Sequence, residues 1–480
     1  MQKTFYITTT LPYVNSDLHM GHALEFIRAD AISRYKKLVG FDVFFNSGTD
    51  EHGMKILESA KKAGKNPQEF VDEAFERFKI QTKSFGMSDD VHFVRTTDER
   101  HEKSAQKFWK KVADNGFIYK KNYKTKYCIG CEEEKTDSDL VDGKCPIHPD
   151  RELETVDEEN YFFAFSKFQK PLLDFYEKNP NLVIPDFRYN EAIAFVKSGL
   201  QDFSISRLKS KMPWGISVPG DEEHVEYVWF DALTNYISTL GWGTDDDSNF
   251  KKYWEGGTPT QYCGKDNTRF QAIMWQAMLI AAGIPNTYQI VVNGHITADG
   301  GIKMSKSLGN VVDPKEISAE YGVDALRYFL LREVSSFEDS PFSNERFKES
   351  YNANLANGLG NLVSRVMKMA ENNLDAPVEI SEREDMSKYF SFLDQFEITK
   401  ACDFIWAEIS EMDKFIQNNQ PFKVVKTDKE AGQKMISELV VRLYSVARML
   451  NPIMPETSNK IKALIKSNKS PEQPLFMRKD

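Results

Sequence analysis

The spacing of apolar residues changes along the chain and divides it into an α/β part and an all-α part. In the α/β part, short apolar runs typical of strands alternate with stretches whose apolar positions are three and four apart, as in helices. The predicted strands are 4–10, 42–46, 226–230 and 288–293, and the predicted helices are 21–39, 68–85 and 271–282. This order predicts an α/β fold with a Rossmann-type parallel sheet.

Two segments depart from that pattern. Residues 114–225 show little helical periodicity before Phe165, so we interpret them as an insertion that splits the sheet domain. From residue 344 onward strand signals vanish and apolar residues such as Leu355, Leu359 and Leu362 follow a helical period, which predicts an all-α helical bundle. The predicted domains are the first half of the Rossmann domain at 1–113, the insertion at 114–225, the second half at 226–312, a connecting stem segment at 313–343 and the bundle at 344–480.

Composition places the chain among globular proteins. Its 480 residues are 41% hydrophobic and 12% aromatic, which excludes a disordered chain or a small disulfide scaffold. The longest apolar stretch, 273–285, contains Gln276 and falls short of the roughly 18–20 residues that a membrane span needs. No secretory or transit pattern precedes the first predicted strand, so we expect a cytoplasmic protein.

Net charge at first argues against a nucleic-acid partner, because 62 Lys and Arg stand against 72 Asp and Glu, a net charge of −10. However, residues 341–480 carry 20 basic and 20 acidic side chains, so the excess acidity lies in the first 340 residues. Residues 442–479 carry eight basic side chains against two acidic ones. Such a segment is either a solvated helix face or a surface that contacts phosphates.

Three of the five cysteines belong to a pattern that predicts a metal site. The four candidate ligands are Cys128, Cys131, Cys145 and His148. Two close pairs of this kind can offer four ligands tetrahedrally to Zn²⁺, and the Asp-Gly at 142–143 between them is typical of a hairpin turn. The complete protein ligand set indicates structural zinc, against the alternative of buried thiols that match the spacing by chance. Cys263 and Cys402 are expected to be core residues.

The loop between the first predicted strand and helix contains His19-Met20-Gly21-His22, a candidate phosphate-binding motif. A helix N-terminus after a strand offers backbone N–H groups and a favourable dipole to a phosphate. Gly21 permits close approach, and two imidazoles three residues apart can donate hydrogen bonds to an α-phosphate from one face of the first turn. Taken alone, the motif could instead be a pair of histidines that cap a helix.

A second candidate lies in a glycine-flanked loop with the sequence Lys303-Met304-Ser305-Lys306-Ser307. Its two ammonium groups could neutralise the β- and γ-phosphates as pyrophosphate leaves, while the glycines let the loop open for release. Taken alone, this segment could be a lysine-rich surface loop.

Together, and in this order, the two motifs resemble the signatures of the class I aminoacyl-tRNA synthetases. The resemblance implies that the chain binds ATP with Mg²⁺ and an amino acid, forms an aminoacyl-adenylate, and passes the acyl group to the 3′ end of a tRNA. It implies catalytic roles for His19, Gly21, His22, Lys303 and Lys306. It implies ATP contacts for His19, His22, Asp266, Lys303, Ser305 and Lys306, with Asp266 facing the ribose.

Further strings resemble the methionine-specific members of this family. They are Leu11-Pro12-Tyr13 and residues 48–53, 228–236 and 264–267. An insertion of this length is too short for the hydrolytic editing domain of the leucine, isoleucine and valine enzymes. Cysteine enzymes bind the substrate thiol with a metal in the catalytic core, whereas the candidate ligands here lie deep in the insertion. The resemblance therefore implies L-methionine as substrate and tRNA(Met) as partner.

Methionine requires a long apolar slot and an anion for its α-ammonium. By resemblance, Asp50 receives the ammonium. The residues that would line the side-chain pocket are Leu11, Tyr13, Trp229, Ala232 and Tyr236. Taken alone, Trp229 and Tyr236 could be core aromatics. Two positions depart from the family pattern, since Leu233 stands where some members have Pro and Gln271 stands where many have His.

The helical part resembles the anticodon-binding domain of the family through residues 352–365. Asn361 and Arg365 are four apart on one helix face, from which an amide and a guanidinium can read unstacked bases. Phe422 stands where many members have a Trp that stacks on an anticodon base. The alternative is that all three are exposed helix residues without a ligand.

Two other functions remain open from the sequence. One is an adenylating ligase of the same superfamily that acts on a small amine or thiol, which would not need the helical bundle. The other is a catalytically silent RNA-binding relative, which the presence of both motifs disfavours. The chain ends shortly after the bundle, without the appended dimerising module of some members, so we expect a monomer without a membrane partner.

Overall fold

The chain folds into two compact units. The computed structural model describes residues 3–135, 137–298, 300, 312–380 and 385–480. The first unit comprises Met1–Leu18, Gly40–Gln81 and Asp89–Val292. The second comprises His19–Val39, Thr82–Ser88 and Asn293–Asp480.

The strands form one large sheet and several small ones. In chain order they are β1 (Thr4–Thr8), β2 (Asp42–Thr49), β3 (His92–Arg95), β4 (Ile118–Cys128), β5 (Glu133–Lys135), β6 (Glu154–Phe163), β7 (Val183–Ile184), β8 (Phe203–Ser204), β9 (Ser206–Leu208), β10 (Ser217–Val218), β11 (Asp221–Glu226), β12 (Pro259–Gly264), β13 (Gln289–Asn293), β14 (Ile296–Thr297) and β15 (Ser340–Pro341). The large sheet has six strands in the order β3-β2-β1-β12-β13-β7.

The helices in chain order are α1 (Met20–Leu38), α2 (Met54–Lys62), α3 (Pro67–Ser84), α4 (Glu99–Asp114), α5 (Gln169–Lys178), α6 (Asp186–Lys197), α7 (Val228–Ala232), α8 (Asn235–Ser238), α9 (Trp275–Ala282), α10 (Pro314–Tyr321), α11 (Val323–Tyr328), α12 (Asn344–Ser350), α13 (Asn361–Asn373), α14 (Ser387–Asp394), α15 (Ile398–Asn419), α16 (Pro421–Thr427), α17 (Lys429–Leu450) and α18 (Pro455–Ser467). Among the described residues, no helix has the length and apolar content that crossing a membrane requires.

The large sheet has the parallel pairing that the sequence predicts. β1 pairs in parallel with β2 on one side and with β12 on the other, β2 pairs in parallel with β3, and β13 pairs in parallel with β7. The chain therefore leaves β1 toward β2 and returns later on the opposite side of β1. In open α/β sheets, ligands bind at the carboxyl ends of the strands beside such a switch point. The predicted Rossmann-type α/β fold is confirmed.

The segment predicted as an insertion combines antiparallel sheets with the helices α5 and α6. Its sheets have the orders β5-β4-β6-β8 and β10-β11-β9. The short strand β7 also comes from this segment, and Val183 pairs with Ile290 at the edge of the large sheet. The segment thus contributes to the sheet domain as well as interrupting it. The exact domain boundaries stay a prediction.

The predicted strand at 226–230 is wrong. β11 ends at Glu226, and α7 begins two residues later at Val228. The N–H groups of Phe230 and Asp231 donate back to the Tyr227 carbonyl at 2.8 and 3.1 Å, which closes a helical turn. A short apolar run satisfies a buried helix as well as a buried strand, so periodicity alone does not distinguish them.

The second unit contains the all-α part predicted from residue 344 onward. Its longest helices are α15 and α17, each of 22 residues. A π-helical stretch over Tyr351–Gly360 connects α12 to α13. The predicted apolar residues Leu355 and Leu359 on this stretch, and Leu362 on α13, are fully buried. Burial of this stripe is the main source of stability for amphipathic helices.

A buried ion pair joins α1 to α11 within the second unit. The carboxylate of Asp30 lies 2.8 Å from Nη1 of Arg327, and neither side chain is exposed. Asp30 also accepts hydrogen bonds from Nε of Arg34 at 2.7 Å and from the backbone N–H and hydroxyl of Ser88 at 2.8 and 2.6 Å. Burial opposes its ionisation, but Arg327 and Arg34 outweigh that cost and lower the pKa of Asp30.

Candidate functional sites

Three predicted site residues follow parallel strands of the first unit. Tyr13 lies in the loop after β1, Asp50 comes directly after β2, and Asp266 lies in the turn after β12. Tyr13 and Asp50 form a parallel β-bridge, and the N–H of Asp50 donates to the Pro12 carbonyl at 3.0 Å. The carboxyl edge of the sheet therefore carries these side chains, as the sequence predicts for a ligand site.

Asp50 is a buried carboxylate, and the charge of Lys55 acts on it through space. Asp50 is only 2% exposed, and its Oδ1 has no hydrogen-bond partner among the described residues. Burial and the nearby charge of Asp231 raise the pKa of Asp50 well above its usual value, although the His52 backbone N–H acts against the rise. Such a group is suited to receive a positively charged ligand, which would donate a hydrogen bond to Oδ1.

Aromatic rings lie beside Asp50. The indole of Trp229 meets the Tyr13 ring edge-on, with centroids 6.5 Å apart, and stacks on Phe270 at 3.8 Å with an interplanar angle of 6°. The Tyr13 hydroxyl and Trp229 Nε1 are buried and lack hydrogen-bond partners within the described part of the chain. The sequence analysis did not single out Phe270. Together with Tyr227, this residue also lines a cavity of about 410 Å³.

The other predicted pocket residues are buried in the first unit. Leu11, Ala232 and Tyr236 are 8%, 5% and 1% exposed. The Tyr236 backbone carbonyl accepts the Tyr6 hydroxyl at 2.8 Å, and its ring packs in the large apolar cluster of the unit. The structure thus brings Tyr13, Asp50 and Trp229 together. Tyr236 lies in the apolar cluster, a position that is also expected of a core aromatic residue.

The two positions that depart from the family pattern are also buried. Leu233 is 2% exposed and packs in the apolar cluster. Gln271 is 1% exposed, and its Nε2 donates to the hydroxyl of Thr10, just beyond β1, at 2.9 Å. An amide therefore links the segment after β12 to the segment after β1 at this position.

A buried charge network behind Asp50 was missed by the sequence analysis. Asp231, on α7, is fully buried and lies 3.1 Å from Nδ1 of His52, while His101 Nε2 is 3.7 Å from its other oxygen. Burial opposes ionisation of Asp231, but the two imidazoles lower its pKa. The quoted strings at 48–53 and 228–236 contain His52 and Asp231, but these residues and His101 are remote along the chain, so the sequence did not indicate that they meet.

The predicted histidine motif begins α1, in the second unit. His19 is the N-cap residue, and its Nδ1 accepts the Gly21 N–H at 3.1 Å while its own N–H donates to Nδ1 of His22 at 3.2 Å. The two imidazoles stack with centroids 3.8 Å apart. A Cβ at Gly21 would lie 3.0 Å from the His19 ring, so the residue is restricted by space.

This geometry combines helix capping with a possible donor role. Because each Nδ1 accepts a backbone N–H, a neutral ring carries its proton on Nε2. Two Nε2–H donors on adjacent stacked rings at a helix N-terminus are suited to phosphate oxygens. Capping and phosphate binding are therefore compatible here.

The lysine-containing motif lies outside the described residues, so Lys303, Ser305 and Lys306 have no structural description. The chain is described again from residue 312, where Asp313 caps α10 by accepting the Lys315 N–H at 2.8 Å. Asp266, the predicted ribose contact, lies exposed in the short turn Lys265–Asn267 after β12.

The four predicted metal ligands lie together in the first unit. Their ligand atoms are all within 4.8 Å of one another, so the cluster can hold a metal ion. Sγ of Cys131 lies 3.5 Å from Sγ of Cys145 and 3.3 Å from Nδ1 of His148. Ligands about 2.0–2.3 Å from a tetrahedral Zn²⁺ would be separated by roughly 3.5–3.8 Å, which is close to these distances. The donor set also fits zinc.

Local turns explain how the cluster forms. The N–H of Cys131 donates to the Cys128 carbonyl and the N–H of His148 to the Cys145 carbonyl, both at 3.2 Å, so each pair sits on a tight turn. At Gly130, a Cβ would lie 2.5 Å from the His148 ring. The predicted hairpin turn at 142–143 is confirmed, with φ angles of 51° and 74°. Gly130 was not singled out from the sequence.

The cysteines predicted as core residues are confirmed. Cys263, on β12, and Cys402, on α15, are fully buried thiols.

Glu132 ties the metal segment to the rest of the first unit. Its carboxylate accepts the Lys55 N–H in the first turn of α2 at 2.9 Å and the Tyr127 hydroxyl at 2.6 Å. Its carbonyl accepts the Tyr227 hydroxyl at 2.6 Å. α2 begins soon after Asp50, and Tyr227 immediately precedes α7. Glu132, the residue after Cys131, therefore contacts both the start of α2 and the residue before α7.

The predicted anticodon residues lie in the second unit. Asn361 begins α13 and its exposed amide donates to the Asn357 carbonyl at 3.2 Å. Arg365, one turn later, forms an ion pair with Asp413 at 2.8 Å and is 42% exposed. Phe422, in the first turn of α16, is 41% exposed. All three are accessible, which both base contact and a solvated helix surface would allow.

Comparison with known families decides between the alternatives. The model for class I tRNA synthetases (M) matches residues 5–153 and 135–367, and the model for the anticodon binding domain of methionyl tRNA ligase matches residues 367–474. This chain belongs to the methionine-type class I tRNA synthetases. Members of this family are ATP-dependent ligases, and the resemblance predicted from the motifs is confirmed.

Curated relatives of this methionine-type synthetase family extend over nearly the whole chain. A methionine–tRNA ligase of Caldanaerobacter subterraneus subsp. tengcongensis is 43% identical over 476 residues, which are 96% of this chain and 74% of the relative. That of Rickettsia conorii is 39% identical over 493 residues, 99% of this chain and 95% of the relative. The solved Mycobacterium tuberculosis methionyl-tRNA synthetase in complex with methionyl-adenylate is 34% identical, with a TM-score of 0.91 over 99% of this chain and all of that one.

Proposed function

We propose that this chain is a methionine–tRNA ligase that activates L-methionine with ATP to methionyl-adenylate and pyrophosphate, then transfers methionine to the 3′ end of tRNA(Met). The observation that carries the proposal is the full-length similarity to a synthetase solved with methionyl-adenylate. The domain models support both the ligase activity and the recognition of tRNA, since one is the model for class I tRNA synthetases and the other is the model for an anticodon binding domain. We place this activity in the cytoplasm, where translation occurs, and expect a monomer.

In this proposal, methionine binds at the carboxyl edge of the sheet. Asp50 ionises against the α-ammonium, which supplies a charged hydrogen-bond donor for Oδ1, an atom without a partner among the described residues. The rings of Tyr13 and Trp229 form an apolar wall to which a thioether can pack, and sulfur–aromatic contacts favour methionine. Leu11, Ala232 and Tyr236 are the remaining proposed lining residues.

ATP activation is assigned to the two signature motifs. His19 and His22 would donate to the α-phosphate as its charge spreads, and Gly21 leaves room for close approach. Lys303 and Lys306, with Ser305, would neutralise the departing pyrophosphate, and Asp266 would accept a ribose hydroxyl. The attacking carboxylate oxygen forms a bond to the α-phosphorus while the bond to the pyrophosphate oxygen breaks.

Two metal ions complete the proposal. The Cys128, Cys131, Cys145 and His148 cluster would hold structural Zn²⁺, because all four positions are protein ligands and none is left for a substrate. Mg²⁺ would accompany ATP and neutralise its phosphates.

The helical part would bind tRNA(Met). Asn361 and Arg365 would hydrogen-bond to unstacked anticodon bases, and Phe422 would stack on one of them. Arg365 must then exchange its ion pair with Asp413 for a base, an exchange that costs little because both groups are partly exposed. The basic segment 442–479 would contact tRNA phosphates.

The test is amino-acid-dependent ATP–pyrophosphate exchange across a panel of amino acids, followed by aminoacylation of tRNA transcripts. We expect exchange with methionine far above the other amino acids, and charging only of transcripts with the methionine anticodon. Exchange with another amino acid, or exchange without any transfer to tRNA, would contradict the proposal.

A further inference from the structure

The segment after β2 directs its two acidic side chains to different partners. Glu51 is buried and its carboxylate contacts Nε of Arg95 at 2.9 and 3.1 Å and the Thr49 hydroxyl at 2.7 Å, so its charge is compensated. Among the described residues, Oδ1 of Asp50 has no hydrogen-bond partner, although the charge of Lys55 acts on this carboxylate through space. The next residue, His52, is 3% exposed and lies between Asp50 and a second buried carboxylate, Asp231.

His52 contacts both carboxylates by different atoms. Its backbone N–H hydrogen-bonds to Asp50, and its Nδ1 lies 3.1 Å from Oδ2 of Asp231. Burial disfavours the charged imidazole, but Asp231 outweighs this and raises the pKa of His52 above its usual value. His101 lies 3.7 Å from Asp231 and its Nδ1 is engaged by the Ser238 hydroxyl at 2.8 Å, so the short contact belongs to His52.

The arrangement places two buried carboxylates close enough to oppose each other's ionisation. If neither had a cation, one of them would stay protonated at neutral pH, as in other buried carboxyl pairs. Burial, and then the charge of Asp231, raise the pKa of a further buried acid, Glu226, well above its usual value. His52 contacts both Asp50 and Asp231, so its ring is placed to influence which of these carboxylates is left to bind a cation.

We propose that His52 is a positioning residue for methionine binding. Its backbone N–H holds the carboxylate of Asp50 while its ring compensates the charge of Asp231, so that Asp50 alone receives the substrate ammonium. This inference rests on the proposed function, because it requires Asp50 to bind the ammonium. The residue itself acts through Asp50 and need not touch methionine.

The first test compares KM values for methionine and for ATP in the exchange reaction. For His52→Ala we expect the methionine KM to rise at least about tenfold, with the ATP KM within about twofold of wild type, since a tenfold change corresponds to one pKa unit of lost ionisation. His52→Gln keeps an amide donor without the charge, so it should fold like wild type and still show a raised methionine KM.

The matched control is His224→Ala. This change removes another buried imidazole, which lies 3.0 Å from the carboxylate of Asp221, and it should leave the methionine KM unchanged.

The second test is rescue by removing the opposing charge. If His52 serves to compensate Asp231, then adding Asp231→Asn to His52→Ala should restore most of the methionine KM. A purely packing role predicts the opposite, a double variant that is weaker than either single one. An unchanged KM in both His52 variants, or additive loss in the double variant, would overturn the inference.

Measurements on the wild type and on Asp50→Asn distinguish failure of this inference from failure of the proposed function. Absence of methionine-dependent exchange by the wild type, or an unaffected methionine KM in Asp50→Asn, would refute the proposed function or its Asp50 assignment, and the inference with it. A raised KM in Asp50→Asn together with an unchanged KM in the His52 variants would refute the inference alone.

Discussion

Removal of the Asp30 carboxylate is the most severe single change that the second unit allows us to predict. Asp30→Ala leaves the fully buried Arg327 guanidinium without its ion-pair partner, although the charge of Asp324 still acts on it. Arg327 would keep its hydrogen bonds to the Ile453 and Pro452 carbonyls, both at 2.9 Å, but a carbonyl carries no net charge. Arg34 and Ser88 would also lose their acceptor.

The expected loss of stability follows from the burial of both partners. Breaking a buried ion pair by removing one member costs about 3–5 kcal/mol, because the remaining charge is left uncompensated. In a unit of this size, each kcal/mol lowers the melting temperature by about 2–4 °C, so the second unit should melt roughly 6–20 °C lower. Methionine-dependent exchange should still be measurable at low temperature, where the variant is folded.

The pH dependence has a definite sign. The pKa of Asp30 is lowered in the folded chain, so its ion pair stabilises the fold at pH values above the unfolded-state pKa, about 3.9, and this contribution is lost as the pH falls. The difference in unfolding free energy between wild type and Asp30→Ala should therefore shrink toward acid pH.

Urea unfolding followed by circular dichroism measures the effect, and two controls sharpen it. Glu99→Ala removes an exposed ion pair with Lys103 and should cause no measurable change. The double variant Asp30→Ala/Arg327→Met removes both charges and should recover much of the loss. If Asp30→Ala were as stable as wild type, or if the double variant were less stable than the single one, the argument from an uncompensated buried charge would be refuted.

Three further changes test the proposed sites. Gly130→Ala places a Cβ 2.5 Å from the His148 ring, so we expect zinc content measured by plasma mass spectrometry to fall, and a full zinc load would refute the packing argument. Lys306→Ala should slow pyrophosphate exchange by orders of magnitude at an unchanged melting temperature; normal exchange would exclude the role. Arg365→Ala should raise the KM for tRNA severalfold without affecting exchange, while Asp413→Ala, which releases the same guanidinium, should not raise it. A parallel loss of exchange would indicate damage to the fold instead.

Features encoded by residues close together in the chain were predictable. The metal ligands come in two pairs, each closed by one tight turn, so their spacing alone indicates the cluster. The turn at 142–143 needs two positive φ angles, which Asp-Gly adopts at low cost. The pairing of His19 with His22 follows from three-residue spacing in the first turn of a helix.

Short elements were less predictable. β7 has only two residues, Val183–Ile184, and exists because it pairs with β13 at the edge of a sheet already formed. The run at 228–230 became helical although valine, tryptophan and phenylalanine favour strands, since tertiary packing of α7 overrides that weak preference. No local pattern distinguishes these cases in advance.

Long-range charge pairs could not be predicted at all. Asp30 meets Arg327, and His52 meets Asp231, across 297 and 179 residues of chain. In the sequence each of these residues is an ordinary charged or polar position, and most such positions are exposed. Only the folded chain shows that they are buried and which partner each one has.

These buried pairs raise the question of what they contribute, since apolar side chains of similar volume would often give equal stability. Apolar packing tolerates small shifts and rotations, whereas an ion pair with three or four directed hydrogen bonds fixes one arrangement. Asp30 lies on the helix that begins with His19, and Asp231 lies on the helix that carries Trp229. Both pairs therefore hold helices that bear proposed substrate-binding residues. If positional precision is their purpose, apolar replacement of both members, as in Asp30→Ala/Arg327→Met, should restore stability more fully than it restores the turnover rate.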